Sequence, residues 1–83
     1  MKDNLSHPDE FDIRLDIDGA DTIITVKPEE TSDGARYFVC YIGPDRITQL
    51  REEMDGKWEQ IWGILDHWRI DSIGKEINLR QKS

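Results

Sequence analysis

With a single cysteine, Cys40, the chain cannot close an internal disulfide, so packing alone must hold its fold. Cys40 lies among Phe38, Val39, Tyr41 and Ile42. In such surroundings cysteine acts as a small hydrophobe, and no flanking cation or helix start is at hand to activate the thiol. The two histidines, His7 and His67, are far apart in sequence and lack the paired spacing of zinc ligands. No apolar run approaches the ~18 residues that span a bilayer, and no charged-then-apolar leader opens the chain. The expectation is a cytoplasmic protein with no membrane partner. Basic residues are scarce, eleven against eighteen acidic ones, for a net charge of −7. Arg46 and Arg51 form the nearest approach to a basic cluster, and Glu52 and Glu53 follow at once. A nucleic acid would be repelled at long range, whereas a basic protein partner would not.

What the chain does have is β-strand patterning. Phe11-Asp12-Ile13-Arg14-Leu15-Asp16-Ile17-Asp18 alternates apolar and charged residues without a break. Such a period-two pattern puts Phe11, Ile13, Leu15 and Ile17 on one face and the charges on a wet one. Thr22 to Lys27 is β-branched and short, a second strand that Pro28 is expected to end, because proline donates nothing to a ladder. Arg36 to Ile42 reads as a third strand, apolar in both alternate sets and therefore central. Three Asp-Gly pairs, Asp18-Gly19, Asp33-Gly34 and Asp55-Gly56, suit tight hairpin turns, since both residues tolerate positive φ. Gly43-Pro44-Asp45 is a further turn cluster.

Residues 46–62 admit two readings. Ile47, Leu50, Met54, Trp58, Ile61 and Leu65 recur at helical spacing, with Asp45 as a cap. Against this, Gly56 would sit mid-helix, and Asp55-Gly56-Lys57 makes a good hairpin tip. Two strands, Arg46 to Glu52 and Lys57 to Trp62, are the preferred expectation. Beyond them Ile70, Ile73, Gly74 and Ile77 recur at three and four, the mark of an amphipathic helix capped by Asp66 or Asp71. Arg80 and Lys82 suit its C-terminal dipole. Gly74 on the apolar side predicts a close approach to the sheet. The expected fold is thus α+β: an antiparallel β-meander of about five strands with one C-terminal helix packed on one face. Residues 1–10 are expected to be a flexible tail and 11–83 a single domain. About seventy residues make a small core, which a dimer contact would supplement.

No catalytic pattern emerges. The stretch Asp16 to Asp21 resembles a calcium loop only superficially, because Ala20, Asp21 and Lys27 occupy positions that need a ligand, a glycine and a glutamate. A carboxylate pair for glycoside chemistry would need a cleft that so small a sheet hardly provides. The candidate surface is aromatic. On a strand, Trp58 and Trp62 share one face with Gln60 between them, and Tyr37 and Tyr41 share another. Should these coincide, Tyr37, Tyr41, Trp58 and Trp62 form a patch of the kind enriched at protein interfaces. The competing expectation places the tryptophans in the core against Ile70, Ile73 and Ile77.

The stretch Gly56-Lys57-Trp58-Glu59-Gln60 and the Ile73-Gly74-x-x-Ile77 helix resemble those of small single-domain bacterial proteins of unknown function. The resemblance covers the last third of the chain, implies a meander followed by a helix, and carries no functional residues. The functional expectation is a protein-interaction module without catalysis, cofactor or metal, acting as a homodimer or on a protein partner. The alternative is an acidic inhibitor or immunity-type protein that binds a basic partner.

Overall fold

The computed structural model describes residues 10–82, so the expected tail, Glu10 apart, lies outside the described residues. Five strands follow one another in the chain and in the sheet: β1 (Phe11–Ile17), β2 (Ala20–Glu30), β3 (Arg36–Ile42), β4 (Asp45–Glu52) and β5 (Trp58–Gly63). All neighbours are antiparallel, and one helix, α1 (His67–Lys82), packs against the sheet. The fold is the α+β meander that the patterning predicts.

The turns follow their chemistry. Ile17 pairs with Ala20, leaving Asp18 and Gly19 at φ +52° and +84°. Two positive φ values in a two-residue loop match the right-handed twist of the flanking strands. Ser32 to Gly34 and Met54 to Gly56 form a second kind of loop. There Thr31 N–H donates to Ala35 O at 2.8 Å and Glu53 N–H to Lys57 O at 2.7 Å. The second of these loops makes residues 46–62 a hairpin rather than a helix.

Pro28 does not end β2, which continues to Glu30. Among the described residues the β1–β2 ladder ends at the Phe11–Val26 pair, two residues before Pro28. The proline's missing N–H falls beyond that pair, while Pro28 itself sits opposite Phe38 on β3.

Between sheet and helix lies the core. Ile13, Ile24, Val26, Phe38, Cys40, Leu50 and Trp58 meet Ile70, Ile73 and Ile77, with Phe11, Leu15 and Ile17 partly buried around them. Burying one such side chain contributes about 1.5–3 kcal/mol. Asp66 takes the N-cap place: its carbonyl accepts from Arg69 N–H and Ile70 N–H, both at 3.0 Å. Arg69 and Arg80 tie the two ends of the helix to the first hairpin, the first to the Asp18 carboxylate in its turn at 3.4 Å and the second to the Asp12 carbonyl on β1.

Candidate interaction surface

The helix covers one face of the sheet and leaves the other to solvent. Strand register assigns residues to that open face. The row Asp12–Thr25–Tyr41–Arg46 crosses β1 to β4. Next to it runs Lys27–Val39–Gln49–Trp62, across β2 to β5. Paired residues in adjacent strands point the same way, so each row is a line of neighbouring side chains.

Two irregularities place the aromatic residues. One lies between Cys40 and Tyr41, where the β3–β4 register shifts and sets Arg46 opposite Tyr41. The other lies between Gln49 and Leu50, which pair with Trp62 and Gln60 and leave Ile61 as the extra residue of β5. Trp58 and Trp62 therefore do not share a face, although a spacing of four along a regular strand predicts that they do. Trp58 is 7% exposed, turned under α1 with its ring beside Phe38 at 5.5 Å between centroids. Its Nε1 is enclosed without a hydrogen-bond acceptor. Trp62 is 44% exposed on the open side. Of the four residues singled out from sequence, Tyr37, Tyr41 and Trp62 fall on the open face, and Trp58 belongs to the core.

The second irregularity has a polar anchor that the sequence did not announce. Thr48, fully buried, donates from Oγ1 to Gln60 Oε1 at 2.7 Å and lies 3.0 Å from Trp62 O. Gln60 Oε1 also accepts from Leu65 N–H at 3.1 Å, and its Nε2 donates to Leu65 O at 3.2 Å. The amide thus brackets the linker to α1 as a strand residue would. Its only signal in the sequence is a glutamine on the core side of a strand, where an apolar residue is expected.

Cations cap the rings of the open face. The Lys27 ammonium lies 4.7 Å above Tyr41, and the Arg46 guanidinium 4.2 Å above Trp62. Such contacts contribute about 0.5–1 kcal/mol at exposed sites. Beneath these long side chains Val39 is only 6% exposed, although α1 covers the opposite face. Ile23 and Ile61 add half-exposed apolar surface. On the β1–β2 side the face turns acidic. Asp16 pairs across from Asp21, whose carboxylate accepts from Arg14 at 2.7 Å, and Asp12 accepts from Thr25 Oγ1 at 2.9 Å.

Elsewhere the surface is less organised. A cleft of about 420 Å³ opens between the end of α1 and the ends of β3 and β4, floored by Phe38, Trp58 and Ile77. Arg51 at its rim is engaged by Glu53 and Glu59, at 3.0 and 2.8 Å, which hold its guanidinium more firmly protonated. Cys40 and His67 are not brought together. Cys40 is sealed in the core, where burial pushes its thiol up to about 12. His67 stands in solvent at the start of α1, 3.2 Å from Asp71. His7 lies outside the described residues. Among the described residues no group of His, Cys, Asp and Glu gathers as a metal site, and no helix is long and apolar enough to cross a membrane. Comparison with protein-family models, with curated proteins and with solved structures returns no match to this chain.

Proposed function

We propose that this chain is a non-catalytic protein-interaction module of the cytoplasm that docks through the open face of its sheet. One observation carries the proposal. Trp62, Tyr41 and Tyr37 lie around a nearly buried valine on the side of the sheet that α1 does not cover. Large aromatics with polar tips are what protein interfaces select, because they bury much area while losing little rotamer freedom. The stems of Lys27 and Arg46 keep the face soluble while it is free, and both are flexible enough to move aside.

The alternative, an acidic inhibitor of a basic partner, draws on the first hairpin, where Asp12, Asp16, Asp18 and Asp21 cluster. It calls for carboxylates gathered on one side. Glu52, Glu53 and Asp55 lie at the far hairpin, and Asp71 and Glu76 on the helix, so the spread favours the aromatic face.

Site-specific photo-crosslinking in the expressing cell tests the proposal, with the reactive group placed at Ile61 on β5 and, as control, at Lys75 on α1. The expected outcome is a discrete protein adduct from position 61 that Trp62→Ala abolishes, and none from position 75. Equal adduct patterns from both positions, or none from either, would refute it.

A further inference from the structure

The open face is charged in a way that fits a second copy of itself. Its longest row reads Asp12–Thr25–Tyr41–Arg46 from β1 to β4, with a carboxylate at one end and a guanidinium at the other. Turned about a two-fold axis that runs along the strands between β2 and β3, the same row reads Arg46–Tyr41–Thr25–Asp12. Each end then meets its opposite charge, and Tyr41 lies over Thr25. Neither Arg46 nor Lys27 has a carboxylate partner within the chain among the described residues, and Asp16 has no cation there. Among the described residues the Arg46 guanidinium rests instead on the Trp62 ring. A cation lacking an acidic partner in a chain of net charge −7 is the feature the two-fold explains.

We propose that the open face seats an isologous homodimer, in which the Asp12–Thr25–Tyr41–Arg46 row of one copy lies against the reversed row of its partner. The proposal rests on the open face being the docking surface and names its occupant. The geometry allows it. Asp12 and Arg46 stand about 7 Å from such an axis, one and a half strand spacings. An inter-sheet angle of ~30°, usual for aligned sheets, displaces them by about 4 Å, within reach of an arginine side chain. Four strands of about six residues offer roughly 400 Å² per copy. That is short of the ~1,200–2,000 Å² total of stable complexes, so the dimer is weak, micromolar and rapidly exchanging. Pairs at an exposed interface are screened, and association weakens as salt is raised.

The test is sedimentation equilibrium of the full chain across the micromolar range at low and high salt. Arg46→Glu and Asp12→Lys each turn two attractive contacts per dimer into repulsive ones, and each alone is expected to weaken association by about 30-fold or more. Mixed in equal amounts, the two variants restore complementarity at every pair, and a heterodimer forms where neither variant self-associates. Arg46→Gln supplies a milder form, and near-UV circular dichroism reports that each variant is folded. A wild-type chain that stays monomeric overturns the proposal. If position 61 then still yields a discrete adduct to another protein, the docking face stands and only its occupant is wrong. A dimer indifferent to both charge reversals also overturns it, because that dimer uses another surface.

Discussion

Replacing Gly74 by alanine sets two known effects against each other, and the structure decides their sign. Alanine in a helix interior is favoured over glycine by about 1 kcal/mol. At Gly74, however, a Cβ would stand 2.3 Å from both Cγ and Cδ1 of Trp58 and 2.5 Å from its Nε1. Ordinary carbon contacts begin near 3.5 Å, so the indole would have to retreat by more than ~1 Å. Phe38 packs beside the ring, its centroid 5.5 Å away, and interiors at crystal-like density do not yield such space freely. Overpacking of this kind costs about 1–3 kcal/mol or more, beyond the helix gain. Gly74→Ala is therefore expected to destabilise the protein by about 1–2 kcal/mol net, a fall in Tm of roughly 5–15 °C for a domain of this size. The assay is urea denaturation followed by far-UV circular dichroism, which does not depend on tryptophan emission. In a Trp58→Leu background the obstacle is gone, and the same Gly74→Ala change should stabilise by about 0.5–1 kcal/mol. An increase in midpoint on Gly74→Ala in the otherwise unchanged protein would refute the placement of the indole against the helix.

Ile13→Ala should cost about 2–5 kcal/mol, and Leu15→Ala distinctly less, since Ile13 is buried in the core and Leu15 is only partly buried at its margin. Equal shifts in the denaturation midpoint would mean that β1 is not docked as described. The Cys40 thiol, raised by burial from 9.0 to about 12, stays protonated in the folded protein. Disulfide-exchange labelling at mildly alkaline pH is expected to proceed only through opening of the fold, so a variant that unfolds faster should label faster. Linkage gives the pH dependence. A folded pKa above the unfolded one contributes stability that is complete below the unfolded value and lost as pH climbs towards the folded one. The loss attributable to Cys40 should fall between about pH 9 and 12, reach a few kcal/mol at most, and vanish in Cys40→Ala.

Much of the architecture was legible before any coordinates. The unbroken alternation of Phe11 to Ile17 left one way to bury four apolar side chains. Asp18-Gly19 allowed a tight reversal, and the Ile70, Ile73, Ile77 spacing described one helical stripe around Gly74. These signals are local: period, turn chemistry and capping act within a few residues, and nothing elsewhere in the chain opposed them. Residues 46–62 were less clear because their apolar spacing fits a helix as well as a hairpin. The turn chemistry of Asp55-Gly56-Lys57 favoured the hairpin locally, and the pairing of β4 with the free edge of β3 is the tertiary part that no window of sequence contains.

The candidate surface was half legible for the same reason. Tyr37 and Tyr41 could be placed on one face from spacing alone, because the irregularity at Cys40 and Tyr41 puts its extra residue, Ile47, on β4 and leaves the alternation of β3 intact. Trp58 and Trp62 could not, because the extra residue, Ile61, between them answers to contacts outside their strand: Thr48 across the ladder and Leu65 beyond its end. Pro28 inside β2 likewise answers to where β1 stops. By itself the chain determined which residues form strands, turns and helix, and which stripes must leave water. Tertiary pairing alone decided which tryptophan is core and which is surface, since a register shift costs little locally yet sends every side chain beyond it to the other side of the sheet.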